Sequence, residues 1–284
     1  MKYYKNLLTI GIPAYNEAKY LRKTLESCVE QAGCVIISDN ASTDETQQIC
    51  EEFAQKYSNI KYIRQEKNIG GSDNFITCLE AAQTKYFMWF GGHDYLDADY
   101  TKHMLHTLEN SDAVGCWPAS RAVDNDGNEI GIFDCWFADR LTSDIPAQRV
   151  YTLIAHLHEC VGLFGIYKTE IAKLVQRNGA YIIGGDHVYL CEMAKQGRII
   201  YCPRSVYNWR QTKLDFNDEE HRKAWEKSLG NAENVTKNSR KEMRDRQLEI
   251  LKSTKLHGGL PGLITKMKLV CKAKKKLKKR FGDN

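Results

Sequence analysis

The sequence predicts an α/β fold in which a mixed, mainly parallel sheet is flanked by helices. Short apolar runs alternate with segments of helical period, and each apolar run ends in small or polar residues. The chain has 284 residues, of which 42% are hydrophobic, and can therefore bury a sizeable core. It contains no run of about 18 apolar residues and no apolar leader at its start, so we expect neither a membrane span nor a signal peptide.

Four strands alternate with helices in the first third of the chain. The strands are predicted at residues 7–13, 34–40, 60–65 and 85–90. We expect Asn16 to cap the first helix, and Ser42 or Thr43 to cap the second. Strands joined by helices of this length pair in parallel through right-handed crossovers.

The pattern changes after residue 112. Antiparallel strands are predicted there, with Asp126 and Gly127 in the hairpin turn, followed by helices at residues 146–159 and 168–178. Another helix opens at a glycine-rich turn and ends at Gly197. We expect three units in the whole chain: residues 1–212 as the main domain, 213–258 as a polar helical extension and 259–284 as a basic amphipathic tail.

Positive charge is concentrated at the end of the chain. Residues 261–284 hold nine basic residues and one acidic residue, whereas the rest of the chain holds 32 basic and 35 acidic residues. Nucleic-acid binding is therefore not expected of the main domain. The ten cysteines are scattered without a C-x-x-C pair, which indicates reduced thiols and a cytoplasmic location.

The basic tail also carries an apolar stripe at helical spacing. The stripe consists of Leu263, Met267, Val270, Leu277 and Phe281. Such a helix can lie on an anionic membrane surface, which would make the protein peripheral on the inner face of the membrane. The alternative is a solvated helix or one that packs against a partner.

Polar and small residues follow each of the first four predicted strands. In open parallel sheets, ligands bind outside the carboxyl ends of the strands, so we expect these residues to line one pocket. They are Pro13, Tyr15, Glu17, Asp39, Asn40, Asn68, Gly70, Gly71, His93 and Asp94.

Six motifs in order make the chain similar to a known family. The motifs are IGIPAYNEAKYLRKTLES, VIISDNASTDET, NIGGSDNF, the His-Asp turn after YFMWF, GGDHVYLCEMAKQGRIIYCP and VYNWR. The chain resembles family 2 glycosyltransferases from about residue 6 to residue 211. The resemblance implies a GT-A fold and inverting transfer of a sugar from a nucleotide sugar, usually with Mg²⁺ or Mn²⁺. The expected acceptor is a hydroxyl of a saccharide or of a lipid-linked molecule, as in polysaccharide assembly.

The resemblance also assigns nucleotide-sugar contacts. Pro13, Tyr15 and Glu17 would border the nucleoside, and Asp39 would accept a hydrogen bond from the base, which favours UDP or dTDP donors. The turn near the ribose and diphosphate would include Asn68, Gly70 and Asn74. Gly70 and Gly71 also fit a plain turn.

The metal position of the family falls on His93 and Asp94 rather than on the literal triplet Asp97-Ala98-Asp99. The triplet precedes a predicted helix, where an Asp is a natural N-cap. His93 and Gly91 stand where the family often has carboxylates, so the resemblance leaves open which divalent cation binds here, and whether one is required.

Asp186 matches the catalytic base of the family, and Arg210 matches a basic position near the diphosphate. Asp186 also fits an N-cap. His156, His158 and Glu159 line the acceptor site or belong to ordinary packing. The rival interpretation of the whole chain is a catalytically silent GT-A module that binds nucleotides or acts as a scaffold. A nicotinamide dehydrogenase is not favoured, because no G-x-G-x-x-G follows the first strand.

Overall fold

The computed structural model of the chain describes residues 2–176, 184–211, 239–255 and 259–281. Within them, nine strands form one sheet. The strands are β1 (Leu8–Ala14), β2 (Cys34–Asp39), β3 (Ile60–Arg64), β4 (Tyr86–Trp89), β5 (Tyr95–Leu96), β6 (Gly115–Val123), β7 (Glu129–Phe133), β8 (Ile166–Lys168) and β9 (Ile199–Arg210). Their order across the sheet is β3-β2-β1-β4-β8-β6-β9-β5, and β7 pairs with β6.

Helices cover both faces of the sheet. They are α1 (Lys2–Lys5), α2 (Ala18–Cys28), α3 (Thr46–Lys56), α4 (Gly71–Glu80), α5 (Tyr100–Glu109), α6 (Pro146–His156), α7 (Thr169–Val175), α8 (Gly185–Gln196), α9 (Ser239–Ser253) and α10 (Gly259–Phe281). Two short 3-10 turns span Ala138–Thr142 and Cys160–Phe164. Each face of the sheet carries its own cluster of buried apolar side chains.

The first half of the sheet is parallel, as predicted. β1 pairs in parallel with both β2 and β4, and β2 pairs in parallel with β3. The four predicted strands are confirmed to within one or two residues of their ends. The second half is mixed, because β8 runs antiparallel to β4 and β6, whereas β9 runs parallel to β6.

The N-terminus of α2 is capped by side chains from another loop. The backbone amides of residues 16–18 donate to Ser42 Oγ, Thr46 Oγ1 and Asp44 Oδ2, at 2.9, 2.9 and 3.1 Å. Asn16 adopts a left-handed conformation with φ 55°. The prediction that Asn16 caps α2 is therefore wrong, because the loop before α3 and the first residue of α3 supply the acceptors. Ser42 and Thr43 do not cap α3 either, since its N-cap position is Glu45.

The predicted hairpin joins β6 and β7. The Asp124 carboxylate accepts the backbone amides of Asp126 and Asn128, both at 2.9 Å, and Gly127 has φ 93°. A residue with a Cβ is strained in that conformation, which explains the glycine.

The C-terminal helices pack onto the main domain. α9 contacts α6 and α8, and α10 contacts α6. Their buried side chains are Met243, Ile250, Leu251, Ala273 and Leu277, which join the cluster that contains Leu153 and Leu190. Residues 213–238 of the predicted polar extension lie outside the described residues. Among the described helices, none is long and apolar enough to cross a membrane.

Packing splits the apolar stripe predicted in the tail. Leu277 is buried and Val270 is partly buried, whereas Leu263 and Met267 are exposed by 39% and 60%. The stripe is therefore divided, because the C-terminal half of α10 buries Leu277 in the protein core, and the side chain of Phe281 lies outside the described residues.

Candidate active site

Hydrogen bonds join the loops that follow β1 to β4 into one edge of the sheet. Asn40 Nδ2 donates to Asn68 Oδ1 at 3.0 Å, which connects the loops after β2 and β3. Glu17 contacts His93, which connects the loops after β1 and β4. The structure thus brings together the polar residues expected at the carboxyl edge. Pro13 is half-buried at the end of β1, and Tyr15 is 44% exposed beside it.

The Asp39 carboxylate is fully buried at the end of β2. Its Oδ1 accepts the backbone amide of Ser42 at 2.9 Å, and its Oδ2 accepts from Tyr62 at 2.8 Å and from Arg64 Nη1. Burial and the acceptor Asp39 raise the pKa of the Tyr62 hydroxyl, which keeps it a donor. A nucleotide base could reach Asp39 only if the Arg64 guanidinium moved aside.

The turn before α4 is built around its glycine. Gly70 has φ 89° and ψ 157°, a region open almost only to glycine. Asn68 Oδ1 accepts the Gly70 amide at 2.8 Å. The side-chain amide of Asn74 donates to the carbonyl oxygens of Ser38 and Ala14, at 2.9 and 3.3 Å. Asn74 therefore ties α4 to the ends of β1 and β2, a positioning role that leaves its amide buried.

His93 is paired with Glu17 across the edge. Its Nδ1 lies 3.0 Å and 3.2 Å from the two Glu17 carboxylate oxygens. Burial alone would lower the pKa of His93, but the hydrogen bond to Glu17 and the negative charges of Asp94 and Glu17 raise it to about 9. The imidazole is therefore a cation at neutral pH. Gly92 makes room for the pair, because a Cβ there would lie 2.8 Å from Glu17 Cγ.

The Asp94 carboxylate is buried between the turn after β4 and strand β9. It is 2% exposed, its Oδ2 accepts from the Tyr207 hydroxyl at 2.6 Å, and its Oδ1 accepts the Arg210 amide at 2.8 Å. Burial raises the pKa of Asp94 despite the nearby His93 charge and these two donors. Any side chain at Gly91 would collide with this carboxylate, which explains why a glycine stands there.

These contacts do not fit a divalent cation held by Asp94 and His93. Mg²⁺ and Mn²⁺ need accessible oxygen ligands, whereas both Asp94 oxygens are buried and already accept hydrogen bonds. His93 Nδ1 faces the Glu17 carboxylate rather than an open position. We therefore assign no chemical step to a metal ion at this turn.

Arg210 is 3% exposed and holds the same turn. Its Nε donates to the His93 carbonyl at 2.9 Å, and its Nη1 donates to the carbonyls of Asp124 and Asn125 at 2.7 Å each. The guanidinium also lies 4.4 Å from the ring centre of Tyr20. These contacts give Arg210 a positioning role between the turn after β4 and the β6–β7 hairpin.

The literal Asp-Ala-Asp triplet lies where α5 begins. Asp99 is at the N-cap position with φ 60°, but its carboxylate caps no backbone amide and contacts Lys102 at 3.4 Å instead. Asp97 Oδ1 accepts from the Asn208 side chain at 2.8 Å. The helix begins as predicted, but the expected side-chain cap is absent because Asp99 turns outward.

Asp186 occupies the first turn of α8, where Gly184 has φ 77°. Its side chain is 36% exposed, and its Oδ1 accepts the His187 amide at 2.9 Å. Burial raises the pKa of Asp186, but hydrogen bonds from His187 and Cys160 and the charge of His187 outweigh it, so the pKa lies below its usual value. The carboxylate is ionised at neutral pH and can accept a proton.

Aromatic contacts connect α8, which carries Asp186, to strand β4. Tyr189, one turn along α8, packs on Trp89 at the end of β4, with ring centres 5.0 Å apart. On the other side, Phe164 stacks on Tyr207 at 4.7 Å, and the same 3-10 turn begins at Cys160, which contacts His187.

An aromatic cavity of about 200 Å³ is lined in part by residues 156–159 and 161–162, which flank Cys160 in the sequence. Its lining includes Trp117, Phe133, Asp134, Trp136, Phe137, His156, His158 and Glu159. Trp136 packs edge-on against His156 with ring centres 4.8 Å apart and is 64% exposed. Cys160 lies in the sequence between the lining residues Glu159 and Val161, and it belongs to the cluster with Asp186 and His187. His156 and its neighbours therefore belong to the cavity.

The contacts of several of these residues are not predicted by the sequence motifs. Tyr62 and Arg64 are found only through register, because Arg64 pairs with Asp39 across parallel strands, and residues 62 and 64 share one side of β3. The contacts of Tyr207 and Cys160 carry no local signal, because their partners are distant in the sequence, although Tyr207 lies within the VYNWR motif.

The fold and this edge define an open α/β sheet with its polar residues gathered where such sheets bind ligands. The sequence profile described as glycosyl transferase family 2 matches residues 9–195, and the chain belongs to this family.

Curated relatives match over part of their length. Chondroitin synthase of Escherichia coli is 30% identical over 129 residues, which cover 44% of this chain and 18% of that protein. Abequosyltransferase RfbV of Salmonella typhimurium is 34% identical over 113 residues, which cover 38% of this chain and 34% of that protein. For the first three curated relatives, the chain spans between 15% and 34% of their own length.

The fold is shared with solved structures. The crystal structure of S. aureus TarS 1–349 in complex with UDP-GlcNAc has a TM-score of 0.67 at 17% identity, covering 96% of this chain and 72% of that chain. The prediction of a GT-A sheet followed by C-terminal helices is confirmed.

The His93–Glu17 pair predicts how stability depends on pH. Because folding raises the pKa of His93 from 6.5 to about 9, its contribution is complete below pH 6.5 and is lost as the pH rises through about 9. We expect His93→Gln to lower the free energy of unfolding by on the order of 2 kcal/mol near pH 6, with partial exposure allowed for. Urea titrations should show this difference shrinking toward about pH 9.5. A difference that stays constant, or one unaffected by Glu17→Gln, would contradict the pairing.

Proposed function

We propose that the protein is an inverting glycosyltransferase that moves a sugar from a UDP- or dTDP-linked donor to a hydroxyl of a saccharide or lipid-linked acceptor. The observation that carries the proposal is the ionised Asp186 carboxylate, which clusters with Cys160, a residue flanked in the sequence by the cavity-lining residues Glu159 and Val161. Membership of glycosyl transferase family 2 supports the same reaction class.

In the proposed step, the acceptor hydroxyl gives its proton to the Asp186 carboxylate. The acceptor oxygen then forms a bond to the anomeric carbon from the side opposite the leaving group. The bond between that carbon and the diphosphate oxygen breaks, and the nucleoside diphosphate leaves with both bonding electrons. One bond forms as one breaks, so the configuration at the anomeric carbon inverts.

The donor is proposed to bind along the carboxyl edge of β1 to β4. Pro13, Tyr15 and Glu17 border the nucleoside, and the turn at Asn68 and Gly70 approaches the ribose and diphosphate. His93, paired with Glu17, lies beside this edge. The proposed preference for UDP is supported by the UDP-GlcNAc complex of the TarS structure. Asp39 does not support this preference, because its buried carboxylate is paired with Arg64.

The acceptor is proposed to enter the aromatic cavity. Sugar rings present apolar faces with hydroxyls at their rims, which suits a pocket of aromatic walls and a few polar groups. Trp136 offers the exposed face, and Asp134 and Glu159 offer carboxylates for the hydroxyls.

Replacing the proposed base tests the mechanism. We expect Asp186→Asn to lower kcat by roughly 10²–10⁴-fold, because the amide cannot take up the acceptor proton, with donor KM little changed. The assay measures release of UDP with a panel of donors and saccharide acceptors. The matched variant Trp136→Ala should raise acceptor KM by roughly tenfold and leave donor KM unchanged.

Full activity of Asp186→Asn would show that this residue is not the base. Donor binding without transfer to any acceptor would favour the silent nucleotide-binding module instead.

We also propose that α10 holds the protein on an anionic membrane surface, which suits a lipid-linked acceptor. Leu263, Ile264 and Met267 are exposed by 39%, 45% and 60% on one side of the helix. Farther along the same side lie exposed lysines: Lys268, Lys274, Lys275 and Lys278. Each cation near an anionic surface contributes on the order of 1 kcal/mol.

Co-sedimentation with vesicles tests this surface. We expect the full chain to bind phosphatidylglycerol vesicles but not phosphatidylcholine vesicles, and L263S/I264S/M267S to bind much less. These three positions are preferable to deletion of the tail, because deletion removes the buried residues Ala273 and Leu277. The control I130S/I132S changes two exposed apolar residues of β7 and should bind normally. Equal binding by all three proteins would overturn the proposal.

A further inference from the structure

Three ligand-type side chains converge beside the proposed base. The Cys160 Sγ lies 2.9 Å from His187 Nδ1, and His187 Nδ1 lies 3.3 Å from Asp186 Oδ1. All three atoms lie within 4.8 Å of one another. In the part of the chain that the structure describes, this is the one such group of three or more His, Cys, Asp or Glu side chains.

Two separate elements build the cluster. Cys160 begins the 3-10 turn after α6, whereas Asp186 and His187 lie in the first turn of α8. The cysteine is half-buried, the His187 side chain is 13% exposed and the Asp186 side chain is 36% exposed. The group is thus largely screened from water but open on the Asp186 side, which gives an ion a route in.

The spacing suits a tetrahedral ion. Zinc bonds of about 2.3 Å to sulfur and about 2.1 Å to nitrogen and oxygen place neighbouring ligand atoms about 3.4–3.6 Å apart. The His187 Nδ1 to Asp186 Oδ1 distance of 3.3 Å already matches. The Cys160 to His187 distance of 2.9 Å is a hydrogen-bond contact that must open by roughly 0.6 Å, a shift within reach of side-chain rotation.

We propose that Cys160, Asp186 and His187 bind Zn²⁺ or a similar thiophilic divalent cation, with the fourth position open to water. A thiolate and an imidazole favour such an ion, whereas Mg²⁺ and Ca²⁺ prefer sites made of oxygen. Binding takes the proton from the Cys160 thiol, which passes to water, and leaves a thiolate bonded to the metal. Three protein ligands and one open position match the coordination of catalytic zinc sites.

Occupation of the site would inhibit the enzyme. This consequence rests on the proposed function, because the ion would bond to the Asp186 oxygen that is meant to accept the acceptor proton. Metal binding therefore competes with the role of Asp186 as the base, because a metal-bound carboxylate is a poor proton acceptor. Zinc would act as a reversible inhibitor that does not displace the donor from the sheet edge.

Cobalt binding to the full chain tests the site without reference to activity. Co²⁺ bound to a thiolate gives a sulfur-to-metal absorption band, which we expect in the wild type and which added Zn²⁺ should remove. Cys160→Ser should abolish the band, and Asp186→Asn and His187→Ala should each weaken Co²⁺ and Zn²⁺ binding by at least about tenfold. The control Cys271→Ser removes an exposed cysteine of α10 and should behave as the wild type.

X-ray absorption of the zinc-loaded wild type needs no variant, so a misfolded mutant cannot obscure the answer. We expect one sulfur at about 2.3 Å with nitrogen and oxygen ligands at about 2.1 Å. Absence of the cobalt band, or a band that survives in Cys160→Ser but is lost in Cys271→Ser, would overturn the site.

Activity measured against Zn²⁺ then separates the two proposals. Inhibition at the concentration that fills the site supports both of them. Zinc that fills the site without lowering kcat would refute the base role of Asp186 and leave the metal site standing. Failure of zinc to bind, while Asp186→Asn still loses activity, would refute the metal site alone.

Discussion

The Asp94 carboxylate is the point on which the two halves of the sheet depend. It follows β4 in the parallel half and accepts hydrogen bonds from Tyr207 and from the Arg210 amide of β9 in the mixed half. A buried carboxylate that lost these donors would be costly, since each oxygen would remain without a partner in an apolar setting. The absence of a side chain at Gly91 is what allows this closure. The turn that bears His93 is fixed as a result.

The candidate site extends outward from this buried centre. Tyr207 packs on Phe164, whose 3-10 turn begins at Cys160, and Cys160 meets the first turn of α8. Arg210 reaches from the same strand to the β6–β7 hairpin. Asp94 and Arg210 stand at motif positions that predict a chemical role, yet their contacts hold loops in place. We propose that the accessible groups carry substrate binding and chemistry: Asp186, the exposed side of Tyr15 and the cavity around Trp136.

The sequence predicted the parallel half well because its information is local. Continuous apolar runs determine β1 to β4, and helical period determines the helices between them. The helix caps were harder to predict, because the side chains that accept from the N-terminus of α2 are Ser42, Asp44 and Thr46, which are distant in the sequence. The burial of Asp39 by Arg64 depends on strand register, and the Cys160 cluster joins residues 26 positions apart. Tertiary packing also determines which apolar side chains of the tail are exposed, since it buries Leu277 and leaves Met267 exposed.

We propose that the carboxyl edge of β1 to β4 binds the donor nucleotide. Hydrogen exchange of backbone amides, measured with and without UDP, tests this binding site, because bound nucleotide slows local opening. We expect slower exchange in the loops at residues 14–17, 39–43 and 68–71, with α9 and the β7 hairpin unchanged. Saturating UDP that leaves these three loops unaffected, while protecting a different surface, would contradict it.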